Sequence, residues 1–147
     1  MEEIGPLEPA IDVAVLADAV QAASGKLYVL GGGWDTLLVP RFPARHSIGI
    51  GVKVRVPWTM TDRDLSLAVE LQDEDGRPVP NAARLRHSFR PGRPPHHPEG
   101  IDVSVVRALT FANVPLPAPG GYAFSIMLGD LERARLSFRV IARPKRT

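Results

Sequence analysis

The chain has no cysteine, which removes disulfide frameworks, thiolate metal sites and a cysteine nucleophile together. It has no apolar run near the ~18 residues that a membrane span needs, and its start, MEEIGPLEP, is acidic and proline-bearing rather than built like a signal peptide. The expectation is a soluble, cytoplasmic protein with no membrane partner. No internal repeat or low-complexity tract occurs. No Gly-x-Ser-x-Gly elbow is present, and no serine has a neighbouring His or Asp in a recognisable pattern, so an enzyme is the minority expectation.

Basic residues are scarce at the front of the chain and crowded at its end. Residues 1–39 hold one Lys against six acids, residues 40–75 five bases against six acids, and residues 76–147 twelve bases against four acids, for a net charge of +2. Fifteen of the eighteen bases are Arg, the side chain best suited to bidentate contacts with anions.

What is present is alternation. Ile48, Ile50, Val52, Val54 and Val56 alternate with Gly49, Gly51, Lys53 and Arg55, the period of a strand with one apolar face. The same pattern recurs over residues 65–72, 84–90, 122–128 and 134–140, and residues 101–111 return to strand with both faces apolar over 103–108. Gly129-Asp130 turns the last two runs into a hairpin. Residues 11–24 are rich in alanine and could form a helix capped by Gly25. The β-rich run that follows Ser24-Gly25 makes residues 12–31 a hairpin instead.

Gly31-Gly32-Gly33 lacks the following helix and the Lys-Ser/Thr of a phosphate-binding loop. Gly32 is expected in a bulge that bends the second strand and seats Trp34 on the core. Gly121 lets the chain swing into the last hairpin after three prolines between 115 and 119. Tyr122 then fits a tyrosine corner, its hydroxyl bonded back to upstream backbone.

These runs predict an all-β, single-domain, two-sheet β-sandwich, Ig-like or C2-like, with about eight antiparallel strands. At 147 residues and 44% hydrophobic content the chain has the material for one core. The expected division is a flexible N-terminal segment (1–10), a sandwich domain (11–142) and a basic C-terminal tail (143–147).

Candidate chemistry is sparse. His96 and His97, with Glu99, are the only local group of metal-ligand type, short of the three or four ligands that zinc needs, so neither a metal nor a cofactor is expected. The turn at residues 73–76 reads as a solvated turn. It could bind calcium only with carboxylates from another loop, such as Asp62 and Asp64, placed beside it.

Arg84, Arg86, Arg90 and Arg93 form a basic segment with Phe89 and the two histidines. Phosphate contact needs such a patch, but a single-strand reader would add several exposed aromatics. The expected function is a non-enzymatic interaction module for an unidentified protein or a second copy of itself. Its candidate surface is Arg84, Arg86, Arg90, Arg93, His96 and His97. The alternatives are a small-ligand or metal-dependent hydrolytic domain using His96 and His97, and nucleic-acid binding through the arginine face.

LADAVQAASGKLYVLGGGWD (16–35), VPWTMTDRDLSLAVELQDEDGRPV (56–79) and VPLPAPGGYAFSIML (114–128) together resemble a family of small bacterial proteins known only as a domain of unknown function. The resemblance implies a one-domain β protein with an N-terminal hairpin. It implies no activity, cofactor or catalytic residue.

Overall fold

In the computed structural model, which describes residues 8–144, the alternating runs become strands for the expected reason: each has one face to bury. In chain order they are β1 (Ala10–Ala23), β2 (Lys26–Gly32), β3 (Thr36–Val39), β4 (Ala44–Val56), β5 (Leu65–Asp73), β6 (Leu85–Phe89), β7 (Val103–Leu116), β8 (Gly120–Leu128) and β9 (Leu131–Ala142). A short 3-10 turn (Trp58–Met60) lies between β4 and β5. Two sheets result, ordered β2-β1-β4-β7 and β3-β9-β8-β5-β6. Residues 1–7 of the expected lead-in and 145–147 of the expected tail lie outside the described residues.

The core lies between the sheets. Ile48, Ile50, Val52, Val54 and Val56 of β4 are fully buried and share one cluster with Leu67, Val69 and Leu71 of β5, Phe124 and Ile126 of β8, and Phe138 and Val140 of β9. Each such side chain contributes about 1.5–3 kcal/mol by leaving water. Tyr122 forms the expected corner. Its hydroxyl donates to Ala118 O at 2.6 Å and accepts from Ala118 N at 3.2 Å, while its ring stacks on Phe138 at 5.8 Å. The positive φ of the glycine pair is at Gly120 (φ 134) rather than Gly121, where a Cβ would lie 3.0 Å from the Glu74 side chain.

The structure corrects the expected strand plan in three places. The described residues form nine strands, the addition being β3, which pairs parallel to β9 rather than antiparallel. Gly31, at φ 62 inside β2, interrupts the pairing with β1, but the strand does not continue past the glycines. They end β2, with Gly33 N donating to Leu16 O at 2.8 Å, and carry the chain to the other sheet. Gly32 also has no room for a side chain, since a Cβ would meet Val29 Cγ1 at 2.5 Å. Trp34 does seat on the core, edge-on to Phe138 at 5.7 Å.

The third correction concerns β4, whose glycines were expected on a wet face. Gly49 and Gly51 are buried. β1 pairs with β4 over Ala10 to Ala17 and with β2 over Ala17 to Ala23, and its second half curls over the outer face of β4. A Cβ on Gly49 would lie 3.1 Å from Val20, and one on Gly51 2.8 Å from Leu27. The glycines in Ile-Gly-Ile-Gly-Val therefore make room for a second layer, the β1–β2 hairpin. Its tip, Ser24 (φ 51) and Gly25 (φ 72), has the two positive φ values of a type I′ turn.

At the other end of β1 the strand is tied down electrostatically. Arg55 of β4 bonds Asp12 at 3.1 Å and Asp102 at 3.3 Å. The bond to Asp12, and then that to Asp102, holds the guanidinium above its ordinary pKa. The hairpin thus has one anchored half and one that rests on glycines. Among the described residues no helix is long and apolar enough to cross a membrane.

Candidate functional site

The basic segment divides on inspection. β6 turns Leu85 and Phe89 toward the core and leaves Arg84, Arg86 and Arg90 exposed at its outer face and ends. Arg84 pairs with Glu70 at 3.0 Å and Arg90 with Asp64 at 3.2 Å. Arg86 has no acidic partner among the described residues. It stands opposite Ala68.

Arg93 and His97 are used internally. The Arg93 guanidinium lies 3.7 Å over the Trp58 ring, a cation–π contact. Its Nε donates to Thr61 Oγ1 at 2.8 Å, and its Nη2 donates to Trp58 O at 3.0 Å. Gly92 N donates to Thr61 O at 2.9 Å. The His97 ring stacks on Trp58 at 5.9 Å, with Nε2 2.9 Å from Ile101 O. Together these contacts clamp the proline-rich loop between β6 and β7 onto the 3-10 turn. His96, at φ 66, remains exposed.

No three His, Asp or Glu side chains converge on a metal-sized space among the described residues. The calcium alternative fails on topology. Asp62 and Asp64 precede β5 and Asp73 and Asp75 end or follow it, so a nine-residue strand, roughly 27 Å long, separates the two pairs. Asp73 Oδ1 instead accepts from Asp75 N and Arg77 N at 2.9 and 3.0 Å, an Asx turn.

The outer face of the second sheet carries an open groove of about 640 Å³ lined by Asp35, Glu74, Gly121, Arg135, Ser137 and Arg139. Part of its polar rim is already bonded, in one case to a residue beside it. Arg135 donates to Gln72 at 2.6 Å, Gln72 to Glu70 at 3.2 Å, and Gly121 N to Glu74.

The four sheet edges differ more than the clefts do. An edge strand offers unpaired backbone N–H and C=O groups, and proteins blunt such edges with shortness, charge, proline or bulges. β3 has four residues and is followed by Pro40. β6 has five and is bracketed by arginines. β7 carries Pro115, a register shift beside Asn113 (φ 52), and Arg107 on its core-facing side with its Cζ 4.8 Å from the Phe89 ring.

β2 has fewer of these defences: its one irregularity is Gly31 (φ 62), next to its end, and Lys26 to Leu30 are regular. Across its seven residues only Lys26, at the turn, is charged, and proline is absent. Leu30 is 72%, Tyr28 53% and Val29 42% exposed. With Ala19, Val20 and Gln21 they line a shallow, mainly apolar depression of about 360 Å³.

A family profile matches residues 12–141. The chain belongs to DUF6941, a family of unknown function. A search of curated proteins gave no match for this DUF6941 chain. Solved structures give distant likenesses. One is the alkylpurine DNA glycosylase AlkC of Pseudomonas fluorescens bound to DNA containing an abasic site analog (TM-score 0.49, 10% identity, covering 94% of this chain and 32% of that one). Another is an immunoglobulin-like protein of Pseudomonas aeruginosa (TM-score 0.42, 16% identity, covering 91% and 97%). A third is a β-glucosidase of Listeria innocua in complex with glucose (TM-score 0.39, 16% identity, covering 72% and 14%). The DUF6941 chain spans about a third of the length of the glycosylase. Likenesses of this degree say nothing about activity.

Tyr28, Val29 and Leu30 are the surface residues that sequence reasoning passed over in the DUF6941 domain. Their signal was an absence. Lys-Leu-Tyr-Val-Leu-Gly-Gly reads as a half-buried strand until its place at an edge is known.

Proposed function

We propose that this DUF6941 domain is a non-enzymatic, cytoplasmic interaction module that binds another protein chain by strand addition along β2. The open edge carries this reading: a strand whose one charge is Lys26 at its turn, with exposed apolar side chains, in a molecule whose three other edges are blunted. Strand addition draws affinity from main-chain hydrogen bonds and specificity from alternate side chains, and β2 offers both.

Two observations favour binding over catalysis. His97, the better placed of the two histidines, has its ring nitrogen and its ring face already engaged. In the groove on the second sheet, Arg135 is bonded to Gln72 and Glu74 accepts from Gly121 N. Protein is favoured over nucleic acid because Arg84 and Arg90 are neutralised by acids and Arg93 is stacked on Trp58.

The test is affinity capture from the native host with the wild type and with Leu30→Lys, under nuclease. A stoichiometric protein retained by the wild type and lost with Leu30→Lys is expected. Retention indifferent to the substitution overturns the assignment to β2.

A further inference from the structure

We infer that β2 is covered by β2 of a second copy, the two strands running antiparallel about a twofold axis through Val29. The inference rests on β2 being the contact edge and adds the occupant and the register. With the axis at Val29, Tyr28 stands opposite Leu30, Leu27 opposite Gly31 and Lys26 opposite Gly32. Gly31 (φ 62) ends the regular ladder there, with the Asp18 and Val29 side chains against the two glycines. Tyr28 and Leu30 form aromatic–aliphatic pairs twice over, the kind of cross-strand contact that stabilises antiparallel ladders.

The charges agree with this register. Lys26 is the only charged residue between Ala19 and Trp34, and the twofold keeps the two copies of it about 20 Å apart. It also brings each Lys26 to the glycine end of the other strand, where the Asp18 carboxylate lies against Gly31. The strand is therefore complementary to itself in sign and in its Tyr28–Leu30 pairs, as an isologous interface requires. The product is a continuous eight-stranded sheet made from two four-stranded ones.

The absence of native cysteine makes the register directly testable. Residues facing each other across an antiparallel pair have Cα atoms about 4.5–5.5 Å apart, within disulfide reach. Val29→Cys is expected to form a covalent dimer in a mild redox buffer at least about tenfold faster than Ser88→Cys, which places its thiol on the blunted β6 edge. Sedimentation velocity of the wild type is expected to show a concentration-dependent dimer. Leu30→Lys, a change on an exposed face, is expected to weaken it about thirty-fold or more, with thermal unfolding unchanged at concentrations where the wild type is monomeric.

A wild type that stays monomeric, while Leu30→Lys still abolishes capture of a host protein, overturns the second copy and keeps the β2 edge. A dimer that ignores Leu30→Lys, or that fails to cross-link through Val29→Cys, overturns the inference. A dimer and a host partner both indifferent to Leu30→Lys overturn the edge as well.

Discussion

β2 and β6 both end a sheet, with seven and five residues, and they could hardly be less alike. β6 is bracketed by arginines and its following loop is clamped to Trp58. β2 is nearly chargeless and rests on glycines. The difference shows that the conspicuous residues of a β domain can be those that keep a strand alone. A run of arginines reads in sequence as a ligand surface, yet on an edge it repels a second strand. An unremarkable apolar run, moved to an edge, is the one left open.

The sharpest break of this comparison is to lift β2 from its seat. Gly51→Val drives a side chain into Leu27, 2.8 Å from where its Cβ would stand. Overpacking of this kind costs about 1–3 kcal/mol, and we expect the upper part of that range because the obstacle bears on a whole hairpin. Thermal unfolding should drop by roughly 5–10 °C, and self-association should weaken with it. An unchanged melting temperature would show that the hairpin is not held by β4.

On the β6 side the corresponding break is Trp58→Ala. It removes the surface under both Arg93 and His97, and the expected loss is about 2 kcal/mol. Hydrogen exchange across residues 90–102 should rise while the β2 contact stays intact. Exchange that changes equally on β2 would mean that the two regions are coupled, which their separate contacts argue against.

How far each region was legible follows from how local its determinants are. β4, β5, the β8–β9 hairpin and the Tyr122 corner could be read because their pattern is carried by neighbours in sequence. β3 could not. It has four residues, and its partner β9 lies about a hundred positions away in a parallel pairing that leaves no turn to recognise. Gly49 and Gly51 alternate with valine and isoleucine, as a wet face would, and only the curl of a distant hairpin makes them buried. Arg93 and His97 showed their chemistry in sequence but not their engagement by Trp58. β2 showed its strand but not its edge, because strand order is a property of the whole chain.

The comparison can also be run backwards by stripping β6. Arg84→Leu with Arg86→Leu, in a Leu30→Lys background that silences β2, should create a weak association absent from the parent. At about 1.4 kcal/mol per tenfold in affinity, one or two new apolar contacts lead us to expect a several-fold shift in sedimentation at high concentration. A double variant as monomeric as its parent would show that shortness alone defends β6 and that the arginines are incidental.

The smallest expected effect separates two arginines of one segment. Arg84 meets Glu70 at 3.0 Å with two-thirds of its side chain in water, and an exposed pair of this kind is worth about 0–1 kcal/mol. Glu70 also keeps its bond from Gln72, so Arg84→Ala should cost less than about 0.5 kcal/mol in urea unfolding. Arg93→Ala loses a stacked ring and two directed hydrogen bonds, and about 1 kcal/mol should go with them. Arg93→Lys should recover only part of that loss, because an ammonium cannot keep the planar stack and both bonds at once. Equal losses for the two alanine variants would place Arg93 with the blockers of the edge; unequal ones place it in the clamp, where its distances put it.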